Sequence, residues 1–270
     1  EVETPVLSAH ATVDRQIESF SADGLWLQTS PEFAMKRLLV AGSGPIWQIA
    51  RVFRREEAGR HHNPEFSMLE WYRPGYDHHQ LMDEVADLFN ALGIAMGGNG
   101  LSYREAFVLH AGVDPFEDSV ETLKRRFPME AQETERDFWL DVLMSHVVGP
   151  KLGLDGPEFL YDFPASQAAL ARVEDGVAQR FELFWNGIEL ANGFHELTDA
   201  AEQKQRFKAD QKWRCEQQRP VPPYDKNLIA ALEAGLPGCA GVALGLDRLL
   251  MLKLGLPDLS SSLAFDAARA

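Results

Sequence analysis

The dipeptide Asn186-Gly187 places the strongest constraint on how this chain folds. It separates two strand-like runs, 180–185 and 188–191, and both of its residues tolerate the positive φ angles that a two-residue hairpin turn requires. A hairpin this tight pairs its strands antiparallel. We therefore predict an α+β fold, an antiparallel β-sheet flanked by helices, rather than a doubly wound parallel sheet.

The other elements alternate between helix and strand patterns without a repeat. Ser30-Pro31 begins a predicted helix that Gly42 ends. Residues 46–53 and 66–72 read as two strands joined by a charged loop. Apolar residues at helical spacing over 81–92 predict an amphipathic helix.

We predict one domain over 1–270, with a helical insertion at 101–157 and no separate anticodon-binding domain. The first residues, Val2, Thr4 and Val6, alternate as in a strand. Because Glu1 already stands inside that pattern, we expect further sequence before it.

Composition excludes some classes of function. The formal net charge of −15 argues against a broad nucleic-acid footprint, because phosphate binding needs clustered Lys and Arg. The two cysteines, Cys215 and Cys239, have no metal or redox spacing and indicate a reducing cytoplasm. No apolar run approaches the roughly 18 residues of a membrane span. Four histidines, His61, His62, His78 and His79, lack an accompanying cysteine, and we expect them to be surface or loop residues.

The first candidate site lies on the hairpin 46–72. Arg54 and Glu56 follow its first strand, and period-two alternation gives the returning strand one shared face. That face carries Phe66, Met68, Glu70 and Tyr72. An aromatic ring, an acid and a phenol together suit a pocket that stacks a base and holds a cation, and a solvated hairpin is an equally good interpretation of these residues alone.

Two further stretches carry chemistry. Gly245 and Arg248 stand at a strand-to-helix turn, where phosphate binding is favoured, although no P-loop sequence is present. Glu182 and Glu189 fall on the two strands of the Asn186-Gly187 hairpin, where carboxylates can hold magnesium. Each signal is weak by itself, because Gly-rich turns and exposed acids on strands are common.

Five stretches occur together in one order, namely 3–5 (Glu-Thr-Pro), 29–32 (Thr-Ser-Pro-Glu), 53–70 (from Phe-Arg-Arg-Glu), 189–197 (Glu-Leu-Ala-Asn-Gly-Phe-His-Glu-Leu) and 241–248 (Gly-Val-Ala-Leu-Gly-Leu-Asp-Arg). They resemble the motifs of class II aminoacyl-tRNA synthetases, specifically the lysyl branch. The resemblance implies a class II catalytic fold, homodimerisation, ATP and Mg²⁺ as cofactors, and activation of a lysine-like amino acid.

The resemblance also implies roles for single residues. Arg54 and Arg248 are the implied catalytic residues, acting on the phosphates and the substrate carboxylate. Further ATP contacts are implied for Arg55, Glu56, Asn63, Phe66, Glu189, Leu190 and Gly245. The implied metal ligands are Glu182 and Glu189. The amino acid is expected to meet Ser30, Glu32, Glu70, Tyr72, Asn192, Glu196 and Ala243.

Three departures from the synthetase pattern point to one branch of the family. Ala243 replaces a glycine, His195 stands where a serine precedes Glu196, and 163–168 differs from its synthetase equivalent. These variants resemble the truncated lysyl-synthetase paralogues that attach β-lysine to translation elongation factor P. The resemblance makes that factor the expected acceptor, β-lysine or lysine the substrate, and tRNA an unlikely partner. We hypothesise that the Ala243 methyl favours the β-isomer.

Three rival interpretations compete with this one. The catalytic core of a lysyl-tRNA synthetase would charge tRNA. A non-catalytic amino-acid sensor would tend to lose the ATP arginines, which are present here, and an amidating ligase would lack the acids of a lysine pocket. Since elongation factor P is acidic in this family and the chain is also acidic, we expect a local basic surface to receive it, formed by Arg51, Arg54, Arg55 and Arg60.

Overall fold

The computed structural model describes residues 1–55, 58–129 and 133–270. The chain divides into two compact units. The first combines Glu1–Gly75 with Leu197–Ala270, and the second is Tyr76–Glu196. Among the described residues, no helix combines the length and apolar character needed to cross a membrane.

The chain forms eleven strands and eight α-helices within the described ranges. The strands are β1 (Leu7–Ser8), β2 (Ser21–Ala22), β3 (Leu25–Leu27), β4 (Ile46–Phe53), β5 (Glu65–Pro74), β6 (Leu101–Ser102), β7 (Glu158–Pro164), β8 (Val173–Glu174), β9 (Val177–Trp185), β10 (Ile188–His195) and β11 (Cys239–Gly245). The helices are α1 (Glu32–Val40), α2 (His78–Ala91), α3 (Tyr103–Ala111), α4 (Val120–Lys124), α5 (Arg136–Leu143), α6 (Ala200–Glu216), α7 (Lys226–Gly235) and α8 (Leu246–Lys253).

The first unit contains the antiparallel strands β4, β5 and β11 in that spatial order, with a small sheet β1-β3-β2 beside them in the sequence. Helix α1 packs against α7, and α8 packs against β5. Alternation along β4 buries one face and exposes the other, so Ala50 and Val52 join Met68 of β5 in a small apolar cluster.

The second unit has the strand order β10-β9-β7-β6, with β8 also paired to β9. Its pairings are antiparallel except for β6 with β7, which is parallel. Its core is rich in aromatic side chains, and the helices α3 and α5 contribute Tyr103, Phe107 and Trp139 to it.

The α+β fold predicted from the hairpin is confirmed. Asn186 and Gly187 have φ angles of 51° and 72° and join β9 to β10. Strand 46–53 coincides with β4, and the predicted helices at 30–42 and 81–92 correspond to α1 and α2. Helices α3, α4 and α5 lie within the segment 101–157, where helices were predicted.

The strand predicted over Val2, Thr4 and Val6 is wrong. The first strand is β1, which begins at Leu7. The Val2 amide does donate a hydrogen bond to the Trp47 carbonyl at 2.9 Å, but no ladder of such bonds follows it. Alternation alone does not form a strand where a neighbouring backbone is not aligned to pair with it.

Candidate functional site

A buried carboxylate lies at the centre of the candidate pocket in the first unit. Glu70, on β5, is only 2% exposed. The Ser30 hydroxyl lies 3.0 and 2.8 Å from its two carboxylate oxygens, and the Tyr72 hydroxyl donates to one of them at 2.8 Å. Two hydroxyl donors on one buried acid satisfy its oxygens while leaving it able to receive a cation.

Local structure explains why these three side chains meet. Glu70 and Tyr72 are two residues apart on one strand and therefore share a face. Ser30 immediately precedes α1, and its hydroxyl also accepts the Glu32 amide at 3.0 Å, which fixes the chain entering that helix. In the antiparallel register Ala243 of β11 is directly opposite Glu70, so the two side chains are neighbours on one face of the sheet.

A second carboxylate, Glu32, lies near the first and carries its own cation. Lys36 Nζ is 2.6 Å from Glu32 Oε1, four residues along α1, and the lysine is 2% exposed. Burial and, after it, the charge of Glu32 raise the pKa of Glu70 to about 8, against the opposing effect of the hydrogen bonds from Ser30 and Tyr72. The prediction missed Lys36, although its i,i+4 spacing from Glu32 was a readable signal.

Arg54 follows β4 and lies over an aromatic ring. Its guanidinium carbon is 5.2 Å from the centroid of Phe66, and its Nε donates to the Thr29 carbonyl at 3.4 Å. The guanidinium therefore reaches the residue next to Ser30. Arg55 is exposed, and its backbone amide donates to the Glu18 carbonyl at 2.8 Å. The predicted nucleotide ligand Glu56 lies outside the described residues.

Arg248 projects from the first turn of α8, where its Nε donates to the His61 carbonyl at 3.0 Å. Burial, followed by the charges of Arg60 and Arg248, lowers the pKa of His61. Asn63 spans the loop, since its amide donates to the Glu65 carbonyl at 2.6 Å and accepts from the Ala267 amide at 3.0 Å.

The turn into α8 is anchored to β5. Gly245 ends β11 opposite Met68, and the Asp247 carboxylate accepts the Ser67 amide at 2.7 Å. These contacts hold the start of α8 against β5, the strand that carries Glu70. Arg54 and Arg248 each use Nε to contact a backbone carbonyl, and a guanidinium is a group that can bind phosphate through paired hydrogen bonds.

In the second unit the predicted metal ligands lie on the β9–β10 hairpin. Asn192 is opposite Glu182 in the register, and Glu189 lies on β10 before a register shift at Leu190. Burial raises the pKa of Glu182 to about 7, Arg180 opposes that shift, and the Glu189 carboxylate adds to it. Oxygen donors of this kind fit Mg²⁺, which prefers carboxylates and water.

Arg180 organises this group and was missed by the sequence prediction. Its guanidinium donates to the Glu182 carboxylate, to Asn192 Oδ1 at 3.2 Å and to the Gln167 carbonyl at 2.9 Å. It also lies 4.4 Å from the Phe163 ring centroid. A signal existed in its position two residues before Glu182 on the same strand face.

The structure groups the predicted residues into local sets within each unit. Ser30, Glu32, Glu70 and Tyr72 form one set in the first unit, Arg54 lies with Phe66, and Arg248 contacts the His61 carbonyl. In the second unit Asn192 and Glu182 share Arg180, and Glu189 acts electrostatically on Glu182. Leu190 and Glu196 are buried there, at 3% and 1% exposure.

Comparison with known proteins identifies relatives along the whole chain. A family model described as tRNA synthetases class II (D, K and N) matches residues 1–269. The chain is 48% identical over 291 residues to an elongation factor P–(R)-beta-lysine ligase of Pectobacterium carotovorum, a match that covers 100% of this chain and 89% of that protein. Proteins of the same name from Photorhabdus laumondii and Salmonella typhi are 48% and 47% identical over 289 residues, with the same coverage.

Proposed function

We propose that this chain, which belongs to the class II tRNA synthetase family of the D, K and N type, uses ATP to activate β-lysine or lysine and transfers it to a lysine side chain of translation elongation factor P. The relatives named as ligases for that factor support the acceptor. The buried cluster of Ser30, Glu70 and Tyr72 is the observation that carries the substrate class.

The cluster selects for a cation. A substrate ammonium entering beside Glu70 favours the ionised form of this acid, whose oxygens two hydroxyl donors already orient. A neutral analogue would leave that buried acid without a charged partner, which is the kind of mismatch that gives large discrimination between substrates. Glu32, with Lys36 beside it, supplies a second polar position for the other amino group.

Activation requires an oxygen of the substrate carboxylate to attack the α-phosphorus of ATP. The new bond is carboxyl oxygen to phosphorus, and the bond that breaks releases pyrophosphate. Arg54 and Arg248 carry the positive charge that stabilises the phosphate oxygens as this displacement proceeds. We assign the Mg²⁺ ion to Glu182 and Glu189, where it would neutralise phosphate charge when ATP is bound.

Transfer then consumes the aminoacyl-adenylate. An uncharged lysine amine of the acceptor attacks the activated carbonyl and an amide bond forms. The bond between the carbonyl carbon and the phosphate oxygen breaks, AMP leaves, and the amine gives up one proton to solvent. The acceptor-binding surface is assigned to Arg51, Arg54, Arg55 and Arg60. Arg51 lies 3.9 Å from the Glu65 carboxylate with both side chains largely exposed, and Arg60 Nε donates to the Pro257 carbonyl.

The proposal includes a homodimer in the cytoplasm. Exposed large apolar side chains occur on or next to three strands of the first unit. These are Val6, just before β1, Leu7 on β1, Leu25 on β3, and Trp47 and Ile49 on β4. Exposed apolar residues of this size mark protein–protein contact sites when they are contiguous. A sedimentation measurement that finds only monomers at micromolar concentration argues against this part of the proposal.

The decisive experiment supplies ATP with labelled lysine or β-lysine and offers tRNA and elongation factor P separately. Label on the factor, lost in Glu70→Gln and kept in the exposed α7 variant Glu233→Gln, is the expected result. Label on tRNA alone would identify a synthetase. Amino-acid binding without ATP consumption would identify a sensor.

A further inference from the structure

A second cluster of metal-binding side chains lies in the second unit, apart from the residues assigned to Mg²⁺. His78 and His79 begin α2, and Asp162 lies on β7. One nitrogen of each imidazole and one carboxylate oxygen lie within 4.8 Å of one another. Among the described residues, it is the one group of three such side chains close enough to share a metal ion.

Local structure holds these side chains together. His78 Nε2 lies 3.0 Å from Asp162 Oδ1, and the two imidazole rings have centroids 4.1 Å apart. His79 also contacts the ring of Tyr161 edge-on at 5.5 Å. Two independent elements, a helix start and a strand, therefore hold the cluster. Sequence spacing does not reveal it, because Asp162 lies 83 residues beyond His79.

The backbone conformation orients the side chains of the cluster both at the start of α2 and on β7. Asp77 caps α2 through a reciprocal hydrogen-bond pair with Gln80, which fixes the direction in which His78 and His79 leave the helix. On β7 the register shifts between Tyr161 and Phe163, and Asp162 has a φ of 62°. Such an irregularity turns a side chain out of the regular alternation of the strand.

One atom of the cluster lacks a hydrogen-bond partner. His78 is 4% exposed, and its Nδ1 is buried with no partner among the described residues. Leaving a buried polar atom unpaired costs about 1–3 kcal/mol, so the atom calls for an explanation, and a metal ion bound to this side-chain cluster provides one. The third nearby histidine is engaged elsewhere, since His195 Nδ1 lies 2.6 Å from Gln179 Oε1.

Two imidazoles and a carboxylate form a donor set suited to Zn²⁺ and its first-row neighbours, not to Mg²⁺. In a tetrahedral site with bonds of about 2.0–2.1 Å, ligand atoms lie about 3.3–3.4 Å apart. The present separations, up to 4.8 Å, close to that value by rotation of His79 and Asp162, which are exposed and half-buried. Three protein ligands leave the fourth position for water.

We propose that His78, His79 and Asp162 bind one transition-metal dication of the Zn²⁺ type. The ion joins the N-terminus of α2 to β7 and so stabilises the folded second unit, because a ligand that binds only the native state adds to its stability. The adenylation chemistry is not required for this binding.

The test is a titration of the full chain, stripped of metal with a chelator and dialysed, with ZnCl₂ in the absence of ATP, amino acid and acceptor. Isothermal titration calorimetry is expected to give one Zn²⁺ per chain. His79→Ala and Asp162→Asn are each expected to weaken that binding by about tenfold or more. The exposed residues His146 and Asp155 provide matched controls, and His146→Ala and Asp155→Asn should bind as the unmodified chain does.

Thermal unfolding separates loss of the site from loss of the fold. Zn²⁺ should raise the Tm of the unmodified chain and of both controls but not that of the two cluster variants. Metal-free variants should unfold within about 2 °C of the metal-free parent, because both altered side chains are outside the core. No Zn²⁺ uptake by the unmodified chain, or uptake that both cluster variants retain at full affinity, overturns the proposal.

Discussion

Replacing Glu70 with glutamine tests the assignment of the lysine-type pocket most directly. Glutamine keeps the shape of the side chain and an oxygen that can accept from Tyr72, but it cannot carry charge. An ammonium that loses its buried carboxylate partner loses about 3–5 kcal/mol. Because the pKa of Glu70 is about 8, ionising it at pH 7 already costs about 1.4 kcal/mol. The net loss is about 2–4 kcal/mol, or about 30- to 1,000-fold in kcat/KM.

The pH dependence gives a second, sharper signature. With a pKa of about 8, Glu70 is ionised in about one tenth of molecules at pH 7 and about nine tenths at pH 9. The kcat/KM for amino-acid-dependent pyrophosphate exchange should therefore rise several-fold across this range in the unmodified chain. Glu70→Gln should lack that rise, while Tyr72→Phe, which removes one donor to the carboxylate, should move it to higher pH.

The stability of Glu70→Gln is expected to be maintained or to rise, although its activity falls. The folded chain holds the Glu70 proton up to about pH 8, whereas in an unfolded chain the pKa of this side chain has its ordinary value of 4.5. The unfolded state thus binds fewer protons between these values, and this residue's contribution to stability falls as pH rises. Glu70→Gln is therefore expected to be at least as stable as its parent at pH 8.

The activity of this variant provides the refuting result. If its kcat/KM for pyrophosphate exchange lies within threefold of the parent's at pH 9, Glu70 is not the charged partner of the substrate.

Four other results are expected. Arg54→Lys should lower kcat about 10²-fold at unchanged Tm, measured by pyrophosphate exchange, because a point charge replaces a planar donor. Ala243→Gly should change the ratio of kcat/KM for β-lysine over lysine, and an unchanged ratio contradicts the isomer hypothesis. Glu189→Gln should require more Mg²⁺ for half-maximal activity. Arg214→Met should cost about 3–5 kcal/mol in urea unfolding, since the buried guanidinium lies 2.6 Å from both oxygens of Glu18, and a loss below 1 kcal/mol would contradict that role.

Ala243 illustrates how a small residue can matter in such a pocket. Its position opposite Glu70 is a property of strand register, and a methyl group there occupies space on the face that carries the carboxylate. Glycine would free about one methyl volume beside the acid. The comparison of isomers on the two variants therefore measures a steric effect with the charged groups held constant.

The sequence by itself determined the fold class and the local elements. Asn186-Gly187 could only be a tight turn between two strands, and the 46–53 strand was predicted with its observed limits because alternation and its flanking residues agree. It also identified Glu70 and Tyr72 as sharing one face, since period two is a property of the chain itself. The N-terminal alternation over Val2 to Val6 failed because pairing needs a partner that the local sequence does not specify.

Only the tertiary structure decided how charges are paired. Lys36 forms a buried ion pair with Glu32, and Arg180 donates a hydrogen bond to the Glu182 carboxylate. The strength of each pair depends on how far its groups are removed from water, and the spacing of residues in the sequence does not reveal that. The raised pKa of Glu70 arises from burial, which only the packed fold creates. The meeting of His78 and His79 with Asp162, far apart in sequence, required a helix start and an irregular strand to converge. Local preferences act over a few residues, whereas burial and long-range contact belong to the folded chain as a whole.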